Sequence, residues 1–248
     1  MYHFFVAQEQ IGDREIQIVG SDVNHIRNVL RMMPGEQISV SSREDGREYC
    51  CEIVQLEEKS VTARILQSQE PDTELPCRIY LFQGLPKGDK MELIIQKAVE
   101  LGAYEIVPVS TKRTIVRLDQ KKEEAKRRRW NAISESAAKQ SKRTIVPEVK
   151  PVMTFDAAVQ YVSSFERKYI PYELAHGMDE TRRQFSGICP GDSIAVFIGP
   201  EGGFEESEIA LAQENGIEPI TLGKRILRTE TAGMAVLSVL MYQMEGRS

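Results

Sequence analysis

Two short stretches near the carboxyl end hold most of the groups that could do chemistry. The first is Ile198-Gly199-Pro200-Glu201-Gly202-Gly203-Phe204, fed by the apolar run Ile194–Ile198 and followed by Glu205, Glu206 and Glu208. The second is Leu222-Gly223-Lys224-Arg225-Ile226-Leu227-Arg228-Thr229-Glu230-Thr231-Ala232. An apolar strand that enters a glycine-rich turn and then a helix has the form of a phosphate cradle. Four carboxylates around such a cradle would repel a pyrophosphate. Three of them, Glu205, Glu206 and Glu208, fall in the first turn of the next helix, where they complement the positive end of its dipole. Glu201, inside the loop, is left as the functional candidate.

Neither G-x-G-x-x-G nor the Walker pattern occurs, which speaks against a nucleotide-dependent enzyme. A ligand that is cationic or neutral at its reacting end tolerates Glu201, and S-adenosylmethionine is of that kind: it carries a sulfonium and no phosphate. A single glycine-rich turn without any ligand remains the plain alternative. A third stretch, Glu173-Leu174-Ala175-His176-Gly177, also follows an apolar run. Three such loops gathered at neighbouring strand ends are the usual place for a ligand in an open α/β sheet.

The elements that must position these loops alternate after Pro76. Apolar strands are predicted over 78–85, 105–110, 168–173, 193–198 and 219–222, separated by helices near 88–102, 119–138, 154–164, 205–215 and 230–244. That order implies a mostly parallel sheet covered on both faces. Residues 1–70 read instead as short strands, Tyr2–Val6, Glu15–Val19, Gln37–Ser41, Tyr49–Leu56 and Val61–Leu66, with one helix from an N-cap at Ser21 to a stop at Pro34-Gly35. Short strands with turn residues between them suggest a small barrel or sheet. The polar, proline-bounded stretch from Gln69 to Pro76 separates the two regimes, giving domains 1–70 and 77–248.

The chain of 248 residues has a net charge of −5, but the charge is unevenly spread. Residues 1–70 hold seven Lys/Arg against twelve Asp/Glu, while residues 111–150 hold thirteen against five. A basic window in an acidic protein faces solvent or a polyanion, and the block Lys126–Arg129 favours the latter. The four cysteines, at 50, 51, 77 and 189, form no C-x-x-C pair, and three histidines are too few for a zinc site, so no metal is expected. No apolar run reaches the length of a membrane span and the start lacks a signal-peptide pattern, so the cytoplasm is expected.

Phrases "IGPEGGF" and "LGKRILRTETA" together resemble the signature pair of the SPOUT methyltransferases. More closely they are similar to the family that methylates N3 of a uridine in small-subunit (16S) ribosomal RNA, ribosomal RNA small subunit methyltransferase E. "LPKGDKMELIIQKAVELG", "KQSKRTIVPEV" and "HIRNVLRMMPG" match in collinear order along essentially the whole chain. The resemblance implies an N-terminal PUA-like β-barrel that helps hold RNA and a C-terminal α/β SPOUT domain with a deep trefoil knot. It also implies a homodimer and an S-adenosylmethionine pocket lined by Leu174, Ile198, Gly199, Gly202, Gly203, Leu222, Gly223, Ile226 and Leu227.

Attack by N3 on a methyl group requires removal of its proton and stabilisation of the resulting anion. Candidate cations are Arg228 and Arg143, and candidate bases are Glu230 and Glu201; Arg228 and Glu230 could instead be a structural ion pair. The RNA would meet Lys112, Arg113, Arg127, Arg128, Lys139 and Lys142 of the basic window, and more weakly His25, Arg27 and Arg31 of the N-terminal helix. A catalytically inactive RNA-binding protein and a 2′-O-ribose methyltransferase are the competing readings.

Overall fold

The computed structural model describes residues 1–42, 47–70, 73–173 and 177–247. The chain divides into two compact units: Met1–Glu74 with Ala138–Val146, and Leu75–Ala137 with Pro147–Ser248.

The first unit is built on β1 (Tyr2–Val6), β2 (Glu15–Val19), helix α1 (Ser21–Asn24), β3 (Gln37–Ser42), β4 (Glu48–Leu56) and β5 (Ser60–Gln69). The strands form one curled sheet in the order β1-β3-β4-β5-β2, antiparallel except for the β1–β3 pair. Alternation places Phe4, Ile16, Ile18, Ile38, Val40, Cys51, Ile53, Val61 and Ala63 on one buried face, closed by Val23 and Ile26. Cys50 and Cys51 face opposite ways, half-buried and buried respectively.

The helix predicted from Ser21 to Pro34 is shorter and less regular. Gly20 with φ of 81° precedes it, so Ser21 is its first residue rather than its cap. After α1 the chain widens into a π turn over His25–Val29, and Leu30 N–H donates to the His25 carbonyl at 2.9 Å. Arg31, at φ 53°, turns the chain out before Pro34 is reached.

Segment 138–146, expected with the second domain, belongs to the first unit. Two carboxylates hold it there. Asp22 accepts from the Lys139 ammonium at 2.9 Å. Glu74 accepts from the Arg143 guanidinium and from the backbone N–H groups of Thr144, at 3.0 Å, and Ile145, at 3.3 Å.

The second unit comprises β6 (Arg78–Gly84), α2 (Lys90–Glu100), β7 (Ala103–Ser110), α3 (Gln120–Ser141, its last residues in the first unit), β8 (Glu148–Val149), β9 (Met153–Thr154), α4 (Phe155–Tyr161), β10 (Arg167–Pro171), α5 (Met178–Ser186), β11 (Ser193–Ile198), α6 (Glu206–Glu214), β12 (Glu218–Ile220) and α7 (Thr229–Met244). Its sheet is parallel throughout, in the order β12-β10-β11-β6-β7-β8, with β9 also on β7. The nearly continuous apolar strands are those of a sheet covered on both faces. Phe82, Phe197, Phe155 and Phe204 form an aromatic stack on one side, with Phe82 and Phe197 centroids 4.5 Å apart. On α2, Met91, Ile94, Ile95, Ala98 and Val99 make the buried stripe, and α2 packs against α7. Helix α5 was not expected. Among the described residues no helix is long and apolar enough to cross a membrane, and no group of three or more His, Cys, Asp or Glu is placed to hold a metal ion.

Candidate active site

Strands β12, β10 and β11 are neighbours, so the segments leaving their carboxyl ends lie side by side. They enclose a cavity of about 600 Å³, lined by Pro171–Glu173, Ile198–Phe204 and Thr221–Thr229, with Lys90, Arg113 and Ala232 completing the wall. A cavity of this size fits a ligand of nucleoside dimensions.

The loop after β11 is tightly seated. Gly203 N–H closes a turn on the Pro200 carbonyl at 2.9 Å, with Gly203 at a φ of 68° that favours glycine. Behind it the Gly199–Pro200 peptide lies directly on Gly84, where a Cβ would come within 2.6 Å of the Pro200 ring and nitrogen. The Thr229 hydroxyl donates to the Gly199 carbonyl at 2.6 Å. The loop after β12 is tied to α5: Thr221 N–H donates to the Thr181 hydroxyl at 3.1 Å, and that hydroxyl donates to the Thr221 carbonyl at 3.3 Å.

Glu206 and Glu208 lie in the first turn of α6, as the sequence implied, while Glu205 precedes it as the extended N-cap residue. Glu208 is buried and accepts from the N–H groups of Glu205 at 2.9 Å and Lys112 at 2.8 Å. Glu201 turns the other way, toward the start of α2. It accepts from the Lys90 ammonium at 2.9 Å and from Lys87 N–H at 3.2 Å. Burial alone would push its carboxyl up. The hydrogen bonds from Lys90, its own backbone and Lys87 outweigh that and hold it below the usual carboxylate range. The same bond to Glu201 raises the Lys90 ammonium. Lys90 also stands 3.5 Å from Glu230, which sits behind it in the first turn of α7 rather than on the cavity wall.

A profile for an RNA methyltransferase domain matches residues 73–241, and one for an RNA methyltransferase PUA domain matches residues 18–66. The ribosomal RNA small subunit methyltransferase E of Bacillus subtilis is 39% identical over 250 aligned residues, covering 98% of this chain and 96% of its own. That of Synechocystis is 31% identical, covering 98% of this chain and 78% of its own. The chain belongs to the ribosomal RNA small subunit methyltransferase E family.

Solved structures agree with the family fold. The Neisseria gonorrhoeae ribosomal RNA small subunit methyltransferase E bound to S-adenosyl methionine superposes with a TM-score of 0.85 at 34% identity, covering 98% of this chain and 97% of that one. A Legionella pneumophila putative methyltransferase with bound cofactor SAM gives 0.84 at 32%, covering 97% of each.

Within this family fold, Ile198, Gly199, Gly202, Gly203, Leu222, Gly223, Ile226 and Leu227 all line this same cavity. Ile226 is 91% exposed on its rim. Leu174 lies outside the described residues. Arg228 and Glu201 are on the wall, whereas Arg143 is not at this site. Its side chain is buried in the first unit against Glu74, which answers to a structural guanidinium–carboxylate pair.

The candidate RNA groups divide. Arg128, Lys142, His25 and Arg31 are exposed, Arg27 and Arg127 half-buried. Lys139 is engaged with Asp22 and lies 5.9 Å from the Phe4 ring centroid. Lys112 and Arg113 serve the cavity's own scaffold: the Lys112 ammonium reaches the Ser207 hydroxyl at 2.8 Å, and Arg113 donates to the Gly202 carbonyl at 2.9 Å. Sequence reasoning missed Lys90, which bridges Glu201 and Glu230, and Gln83, buried under Thr229. For Gln83 a signal existed, since an amide directly after the apolar run Ile79–Phe82, in the same strand, needs partners.

Proposed function

We propose that this protein transfers the methyl group of S-adenosylmethionine to N3 of a uridine in small-subunit ribosomal RNA. The observation that carries this reading is the backbone-rich cavity at three adjacent strand ends, with Arg228 on its wall and Glu230 linked to it through Lys90. The lining suits the donor. Gly199, Gly202, Gly203 and Gly223 offer main-chain donors and acceptors to a purine edge, while Ile198, Leu222, Ile226 and Leu227 offer apolar surface to its face. Glu173 suits a positive sulfonium, and Lys224 and Arg225 a carboxylate. When bound, the donor supplies an electrophilic methyl on sulfur.

The chain's own residues then prepare the acceptor. Arg228 places a permanent cation where negative charge grows on a uracil carbonyl as N3 loses its proton. Glu230, behind the wall on the Lys90 ammonium, orients the nucleotide through Lys90 or turns into the cavity to take that proton. Glu201, held low by its donors, is an anchor for the loop rather than a base. RNA contacts are assigned to Arg127 and Arg128 of α3 and, as a separate group, to the exposed cations of the N-terminal unit. The family's deep trefoil knot and homodimer belong to the same reading. The return of the chain from edge strand β12 to α7, which packs on β6 and β11, supports the first. The exposed Leu93, Val239 and Tyr242 on α2 and α7 support the second.

The test is mass spectrometry of small-subunit RNA from cells with and without the protein, repeated with purified enzyme and small subunits. N3-methyluridine that disappears on deletion and returns with active enzyme is expected. A 2′-O-methyl product, or RNA binding without transfer, would refute the assignment.

A further inference from the structure

Gln83 is fully buried near the carboxyl end of the central strand β6, among aromatic and aliphatic neighbours. Burying an amide in such a place is costly unless its groups are paired, and here only the nitrogen is: Oε1 has no hydrogen-bond partner. Its Nε2 donates twice, to the Gly84 carbonyl at 3.0 Å and to the Thr229 hydroxyl at 2.8 Å. The Thr229 hydroxyl accepts from Gln83 and, because a carbonyl can only accept, donates its own proton to the Gly199 carbonyl, 2.6 Å away. The result is a directed chain, Gln83 N–H to Thr229 O–H to Gly199 C=O. It joins the middle of the sheet, the first residue of α7 and the loop after β11.

Each end of the relay sits beside a group the proposed reaction needs. Gly199 opens the loop that forms one wall of the cavity, and Thr229 lies between Arg228 and Glu230 in sequence. Because the Gly199 carbonyl is drawn back toward Thr229, the turn from Pro200 to Gly203 is held in one orientation. Because Thr229 is anchored from below, the start of α7 cannot rotate without breaking both hydrogen bonds of its hydroxyl. The two constraints are one constraint, since a single hydroxyl serves both.

We infer that Gln83 and Thr229 are positioning residues that lock the donor loop to the Arg228–Glu230 segment, so that donor affinity and catalytic geometry are set by one buried hydroxyl. The inference rests on the methyltransferase reading. It is tested with Thr229→Val, which keeps shape and removes the relay, Thr229→Ser, which restores the hydroxyl, and Val236→Ala, a cavity variant in the same helix, as a control for general loosening.

S-adenosylmethionine binding is measured by calorimetry, unfolding by urea, and transfer as kcat and KM for each substrate. Expected are a loss of donor affinity of about tenfold or more in Thr229→Val, near wild-type binding in Thr229→Ser, and near wild-type binding in Val236→Ala despite comparable destabilisation. The RNA KM should not move. Unchanged donor affinity in Thr229→Val, or equal losses in it and Val236→Ala, would overturn the relay. If Thr229→Val does not accumulate folded, Thr229→Cys, a much weaker donor, takes its place with the same criteria. Wild-type protein that binds no donor would instead refute the methyltransferase reading, and the relay with it.

Discussion

Adding one methyl group at Gly84 tests how the cavity floor is built. A Cβ there would lie 2.6 Å from both Cδ and N of Pro200 and 3.0 Å from the Gly199 carbonyl carbon. Neither side yields easily. Gly84 ends β6 and is paired with Val109 of β7, and the Gly199 carbonyl is held by Thr229. Relief to ordinary contact requires the Gly199–Pro200 peptide to retreat by roughly 1 Å, an overpacking that costs about 1–3 kcal/mol. A displacement of that size in a loop that positions a reacting group also costs on the order of 100-fold in rate. Gly84→Ala is therefore expected to lose stability in urea at unchanged m-value, and to lose far more turnover than stability.

The matched control is Gly233→Ala, in α7. There the new Cβ stands 3.6 Å from Gln83 Oε1 and 3.9 Å from Ile198 Cγ1, ordinary contact distances. Gly233→Ala should fold and turn over normally, and gain about 0.5–1 kcal/mol from helix propensity. Gly84→Ala with wild-type stability and turnover would refute the close-approach argument, and so would equal damage from Gly233→Ala.

Four further outcomes are expected. Arg127→Ala and Arg128→Ala should each weaken RNA binding and lower the slope of log K against log salt by roughly one, with donor affinity unchanged in calorimetry; a flat salt response would place the RNA elsewhere. Arg143→Lys should lower the urea midpoint but not kcat of the folded enzyme, because the guanidinium serves Glu74 and the turn at Thr144. A thiol reagent should modify exposed Cys189 first, while Cys51 and Cys77, pushed up by burial to about 12 and about 11, react only on unfolding. Glu201 is held below its unfolded value, so it contributes stability above the usual carboxylate range that is lost as pH falls through the lowered folded value. Glu201→Gln should flatten part of the acid limb of a stability–pH curve, leaving the share of Glu48, Glu166 and Asp119, which are also lowered.

Much of the fold is legible where apolar pattern and turn chemistry agree. Strands β1, β2 and β11 have the bounds read from the sequence; the apolar runs of β2 and β11 each meet a glycine at their end, Gly20 and Gly199. Helix α5 was missed because only Thr181 and Phe185 are buried in nine residues, too few to make a stripe. Strands β8 and β9, two residues each, are fixed by their neighbour β7 and not by their own pattern. The placement of 138–146 depends on Asp22 and Glu74, more than sixty residues away, and no local rule reaches that far.

The charges show most clearly where composition stops informing. A count gives the basic window its sign but not its direction. Lys112 and Arg113 contribute to that sign, yet both spend their donors on the loop and helix from Gly202 to Glu208. Arg129 is likewise committed to Glu92 at 2.7 Å. The same holds for Glu201, whose negative charge first argued against a phosphate ligand. Its carboxylate faces Lys90 and Lys87 N–H, so its field at the cavity is largely compensated, and Arg113, Lys224, Arg225 and Arg228 leave the wall with more cations than anions. Repulsion by Glu201 therefore does not by itself exclude an anionic ligand. What disfavours a triphosphate here is the course of the backbone: the turn after β11 spends Gly203 N–H on the Pro200 carbonyl and has proline at its first corner, so two of the amides a phosphate nest would need are missing.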